Sequence, residues 1–178
     1  MKLIKILSSA LIILVLASCK NEAKEEVKKD DTKLPETFNI TFNLVVKKDD
    51  TFRLLYNEDK TLNFSDKRMI TTLVKGSDNP QDVIFKLPEN AIPTNIRLDF
   101  GNNKEQDIIV VNSMTAKYFD KSFVTQGNVV KNYFYYNDFQ LAPDEKTSSV
   151  KAVVKDGAYA PCMWSNEVIT TEFEKLVK

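Results

Sequence analysis

From Thr37 onward, apolar side chains occupy every second position: Phe38, Ile40, Phe42, Leu44 and Val46 alternate with Asn39, Thr41 and Asn43. A pleated strand sends successive side chains to opposite faces, so this pattern predicts a strand with one face buried. Lys47-Lys48-Asp49-Asp50 then reads as a turn, and Phe52–Tyr56 begins a second strand that ends at Asn57-Glu58-Asp59-Lys60. Further strands are expected at Arg68–Lys75, Asp82–Leu87, Asn95–Phe100, Asp107–Lys117, Val129–Tyr136 and Val150–Val154, which makes eight. Turn clusters separate them, including Gly76-Ser77-Asp78-Asn79-Pro80, Pro88-Glu89-Asn90 and Pro143-Asp144-Glu145-Lys146, and Gly101-Asn102-Asn103 reads as a hairpin turn. Frequent turns without long helical patterns between strands predict an all-β antiparallel sandwich or barrel, not βαβ units. Only the C-terminus is open: Ile169, Phe173, Leu176 and Val177 have helical spacing, while Val168-Ile169-Thr170-Thr171 is β-branched.

Two segments before Thr37 follow different rules. Lys2 and Lys5 precede the run Leu11-Ile12-Ile13-Leu14-Val15-Leu16, which is too short to span a bilayer, and the small residues Ala17 and Ser18 stand just before Cys19. Charge, apolar length and small cleavage residues agree on a signal peptide over residues 1–18. Between Lys20 and Lys33 five lysines face five acids, with only Ala23 and Val27 apolar. That composition cannot build a core, so residues 19–36 are read as a solvated tether closed by Pro35. The folded domain is then residues 37–178.

The sequence Leu16-Ala17-Ser18-Cys19 resembles the lipobox of diacylglyceryl-modified bacterial lipoproteins. That resemblance implies lipidation of Cys19, cleavage before it, and stable attachment to a bilayer through several acyl chains, each buried CH₂ contributing about 0.8 kcal/mol. The acids Glu22, Glu25 and Glu26 resemble the export signals of Bacteroidetes lipoproteins. They imply a cell-envelope protein at the outer membrane, with display at the cell surface. Ile84–Pro88, Ile96–Asn103, the alternating Ile108–Met114 and Asp156–Pro161 together resemble a jelly-roll β-sandwich found in flavobacterial lipoproteins and as an accessory module of membrane glycosyltransferases. The chain lacks the membrane-embedded catalytic part of those transferases, so the resemblance implies a fold and not their activity.

Composition removes several functions. The 25 basic side chains fall to 23 once Lys2 and Lys5 leave with the signal, against 25 acids. That balance offers no basic footprint for nucleic acid. With Cys19 lipidated, Cys162 has no partner for an intrachain disulfide. Histidine is absent, which removes the usual base of a Cys-His or Ser-His pair and the common zinc constellations. Cys162 is therefore expected to be a small buried hydrophobe. The stretch Asp99–Asp107 departs from a calcium loop in glycine position and lacks the closing glutamate, and the chain's four glycines form no phosphate loop. No metal site and no cofactor are expected.

What remains is aromatic. In Tyr133-Phe134-Tyr135-Tyr136, alternation puts Tyr133 and Tyr135 on one face with Lys131 and Asn137, and Phe134 and Tyr136 on the core side. A tyrosine pair beside amide and ammonium groups suits the apolar face and the hydroxyls of a sugar ring, and it equally fits an ordinary strand surface. Trp164, the only tryptophan, is expected in a loop after Pro161, as a ligand platform or as a plug over one end of the sandwich. Asp99 is expected to make a structural ion pair on the polar face. The chain is thus expected to be a non-catalytic, membrane-anchored binding module, with glycan as the first ligand class and Tyr133, Tyr135 and Trp164 as its site. An envelope protein partner is the second reading, and a small carboxylate-dependent hydrolase the last.

Overall fold

The alternation that begins at Thr37 becomes strand β1 (Asn39–Val46), whose inward residues Ile40, Phe42, Leu44 and Val46 are completely buried. In the computed structural model the described residues are 37–178, apart from 107, 127–129, 131 and 145. The expected signal peptide, Cys19, the tether and Lys131 lie outside the described residues.

Ten further strands follow: β2 (Asp50–Asn57), β3 (Met69–Val74), β4 (Gln81–Lys86), β5 (Asn95–Asp99), β6 (Ile108–Tyr118), β7 (Lys121–Gln126), β8 (Phe134–Tyr136), β9 (Leu141–Asp144), β10 (Ser149–Ala152) and β11 (Cys162–Ser165). They form two antiparallel sheets. One runs β4-β1-β6-β10-β9, with β7 also on β6, and the other runs β3-β2-β5-β11-β8. The two orders correspond place by place, since the chain neighbour of each strand in one order stands at the same position in the other. Successive strands therefore cross between sheets, except for β2–β3, β6–β7 and β9–β10, which pair within one, and this is the wrapping of a jelly-roll-like sandwich. The fold is the all-β antiparallel sandwich that the alternation predicts.

The core between the sheets is rich in phenylalanine. Phe42 contacts Phe85 and Phe134 at ring-centroid distances of 6.4 and 6.1 Å, and Phe52 meets Phe100 edge-on at 5.6 Å. Each fully buried ring of this kind contributes roughly 1.5–3 kcal/mol through water exclusion. Along β1 and β6 the register shifts between Asn43 and Leu44, and Asn112 at the shift donates its side-chain amide to Asn43 at 2.9 Å. The bulge accommodates one extra residue without breaking the burial of Leu44.

Two sequence expectations are corrected. The chain contains β7, β9 and β11 in addition to the expected strands. β9 and β11 have only four residues each, so local periodicity carries little trace of them. The turn at Gly101 is not a hairpin, because β5 and β6 belong to different sheets. The Asp50 carboxylate accepts from the amides of Asn102 and Asn103, both at 3.0 Å, and bends the chain across the sandwich edge. Gly101 has φ +82°, and a Cβ there would collide with that carboxylate.

The open C-terminus resolves as helix α1 (Glu167–Leu176). Asn166 caps it by accepting from the Val168 amide at 3.0 Å, and its own side chain donates to the Asn132 carbonyl at 2.8 Å. Ile169, Phe173 and Leu176 are buried, with the Phe173 ring 5.1 Å from Phe38. The helical spacing outweighs the β-branched run because it presents a single apolar stripe to the sandwich. Among the described residues no helix is long and apolar enough to cross a membrane.

Candidate functional site

Strand register places Met69, Leu55, Arg97, Trp164 and Tyr135 in one row across all five strands of the β3-β2-β5-β11-β8 sheet. Leu54 and Tyr56 point into the sandwich core, so the row occupies the outer face. Leu55 is nevertheless only 1% exposed, because the connection from β2 to β3 folds back over this face. Asn57 and Asn95 hold that connection by donating to the Thr61 carbonyl at 3.0 and 3.3 Å, and Arg68 pairs with Glu58 at 3.4 Å. Its two apolar residues, Leu62 and Phe64, come to rest beside Arg97 and Trp164.

The result is two adjoining depressions. A groove of about 810 Å³ runs over Tyr135, Trp164, Leu62, Asn132 and Asp138. A smaller pocket of about 300 Å³ is lined by Leu62, Phe64, Arg97, Cys162 and Trp164, so Leu62 and Trp164 belong to both. The Tyr135 and Trp164 rings lie 6.3 Å apart at an angle of 44°. Tyr135 is 46% exposed, and its hydroxyl donates to Glu167 at 3.1 Å, which raises its pKa above the usual tyrosine value.

The sequence-predicted residues separate. Tyr135 and Trp164 stand side by side on neighbouring strands. Trp164 lies in β11, not in a loop, because its backbone pairs with β5 on one side and β8 on the other. Tyr133 precedes β8, where the alternation that would pair it with Tyr135 has not begun. It is half-buried, and its ring meets Phe123 of the other sheet edge-on at 5.6 Å. Phe134 is buried, as alternation requires, and burial pushes the Tyr136 hydroxyl up to about 12.

Beneath the smaller pocket lies the row Arg53, Asp99 and Cys162. Asp99 is 5% exposed and accepts from Arg97 Nε at 2.7 Å and Nη2 at 2.9 Å, while Arg53 Nη2 stands 3.1 Å away. The expected ion pair is therefore a triad of two guanidiniums on one carboxylate, and the hydrogen bond to Asp99 raises the Arg97 pKa further. Cys162 is only partly buried, not a core residue. Burial pushes its thiol up, Asp99 adds to the rise and Arg97 opposes it, so thiolate is disfavoured. Among the described residues no group of three or more Asp, Glu, Cys or His side chains is arranged to hold a metal ion.

Sequence reasoning missed Arg97, Leu62 and Phe64. Arg97 carried a signal, since it interrupts Ile96 and Leu98 at an outward position of a strand. Leu62 and Phe64 are two apolar residues in a polar connection, a pattern that shows something covered without showing what. The fold and the row thus define an antiparallel β-sandwich with an aromatic, arginine-bearing outer face. The chain matches no protein-family model, no curated protein and no solved structure, so the site rests on its own geometry.

Proposed function

We propose that the chain is a non-catalytic envelope lipoprotein, anchored at the outer membrane through acylated Cys19, whose sandwich binds glycan on its outer aromatic face. The observation that carries this reading is the exposed Tyr135 ring beside Trp164 over a groove rimmed by Asn132 and Asp138. A pyranose ring has an apolar C–H face that stacks on such rings and hydroxyls that need polar partners at the rim. Tyr133 serves the site indirectly, by packing the segment that leads into β8 onto Phe123. No chemistry is assigned to the site, where the only thiol is disfavoured as thiolate.

Titration of the purified protein against a panel of neutral and charged oligosaccharides tests the reading. Binding that is lost in a folded Tyr135→Ala variant supports it, and binding that survives that change places the sugar elsewhere. Metabolic labelling with a radioactive fatty acid tests the anchor separately: label should enter the wild type and not Cys19→Ser.

A second reading, docking of an envelope protein, draws on the sheet edges. Leu73 on edge strand β3 is 80% exposed and Ile84 on edge strand β4 is 54% exposed. Crosslinking on intact cells that is lost on Leu73→Lys and untouched by Tyr135→Ala would favour this reading over the first.

A further inference from the structure

The arginines on the outer face are not paired one to one with acids. Arg53 and Arg97 both turn to Asp99, and Asp66 adds a more distant negative charge to the field at Arg97. Arg97 gives Nε and Nη2 to that carboxylate, and among the described residues its Nη1 has no partner. The side chain keeps 31% of its exposure and, among the described residues, is the only charged group lining the smaller pocket. Phe64 lies over the guanidinium, with its ring centroid 5.8 Å from Cζ. The adjoining groove carries the opposite sign at Asp138. A ligand lying along both depressions therefore meets a cation in one, a carboxylate in the other and the Trp164 ring shared between them.

From this polarity we infer that the site is selective for acidic sugars. A uronic-acid residue places its carboxylate against Arg97 in the smaller pocket. The adjoining sugar ring stacks on Trp164 and Tyr135, and its hydroxyls reach Asn132 and Asp138. This inference rests on the glycan reading above and gives it a substrate class. A guanidinium edge matches the two coplanar oxygens of a carboxylate, and a charge-assisted hydrogen bond of this kind is stronger than a neutral one. A neutral sugar leaves the edge to water, so the acid should bind about tenfold tighter or more. Asp99 fixes the fork in place before ligand arrives, so little freedom is lost on binding.

The test is calorimetric titration of the purified protein with an oligouronide, its fully methyl-esterified form and a neutral oligosaccharide of the same length. The free acid should bind about tenfold tighter than either, and the gap should shrink as salt is raised. Arg97→Gln should remove the gap. Because that change also strips Asp99 of its closest partner, thermal melting must show that the variant is folded. The ester comparison uses the unaltered protein and stands whatever that variant does. Equal affinity for acid and ester overturns the inference and leaves the glycan reading intact. So does binding of a neutral oligosaccharide without binding of the uronide. A preference for sulfated sugars over the uronide overturns the carboxylate assignment. Failure of every sugar to bind overturns both readings.

Discussion

Trp164 and Tyr135 stand directly opposite one another across β11 and β8, their ring centroids 6.3 Å apart, on the outer face of the sheet. The pairing gives the two residues unequal roles. Tyr135 is nearly half exposed and contacts Trp164 and Glu167, so Tyr135→Ala should cost about 1 kcal/mol, the usual worth of one aromatic pair. Trp164 also supports the cover over Arg97, and its loss should cost about 2–3 kcal/mol. Urea denaturation of both variants checks the order. A loss above about 3 kcal/mol for Tyr135→Ala would make that ring a packing element and remove the platform.

Asp99 holds two arginines in a partly buried setting, and removing the acceptor strands both. Asp99→Ala should cost roughly 2–4 kcal/mol, less than for a deeply buried pair because each guanidinium is about one-third exposed to water. Asp99→Asn keeps shape and some hydrogen bonding and should fall between wild type and alanine. Equilibrium unfolding of the two variants separates the contributions. Equal stability of the aspartate and alanine proteins would mean that the triad holds nothing together.

The sandwich was legible because its long strands carry their burial in their own alternation, as Phe38 to Val46 do. β11 was not, because Cys162–Ser165 becomes a strand only through backbone pairing with β5 and β8. The site followed the same division. Tyr135 and Trp164 were visible as aromatic residues, but their adjacency is a fact of register between segments 29 positions apart. Arg97 belongs to the site only because the connection carrying Phe64 folds over it, a long-range event that spacing along the chain does not encode.

Cys162 lines the smaller pocket beside Arg97, and its thiol is pushed up mainly by burial. Since thiolate is the reactive form, labelling by a disulfide reagent near pH 8 should be slower than for an unfolded cysteine, and urea should restore the ordinary rate. A ligand seated against Arg97 should slow it further. Labelling of native protein at the unfolded rate would show that the pocket is open to solvent at the sulfur.

Four surface acids, Asp49, Asp59, Asp144 and Glu174, have folded pKa values below their ordinary ones. A hydrogen bond from Lys75 is the leading cause for Asp49, backbone amides for Asp59 and Asp144, and Lys60 for Glu174. A depressed carboxylate stabilises the fold above its unfolded pKa, and that contribution disappears as pH falls through the folded value. Melting temperature should therefore hold near pH 5 and fall below about pH 4. Asp49→Asn with Glu174→Gln should flatten the fall, and an unchanged slope would assign the acid sensitivity to other groups.

At alkaline pH the sign reverses. Tyr136 is buried enough that its hydroxyl titrates at about 12 in the folded protein, against about 10 when the chain is unfolded. A raised folded pKa means that the contribution of Tyr136 is complete below about pH 10 and is lost as pH climbs toward about 12, because only the unfolded chain ionises easily in that window. Tyr56, Tyr135 and Tyr159 are raised too, through burial for Tyr56 and Tyr159 and through Glu167 for Tyr135. Spectroscopic titration of tyrosinate should show a late-ionising group that vanishes in Tyr136→Phe. The same variant should lose less stability than wild type over that window. If the late group persists in Tyr136→Phe, the late-ionising hydroxyl belongs to another tyrosine.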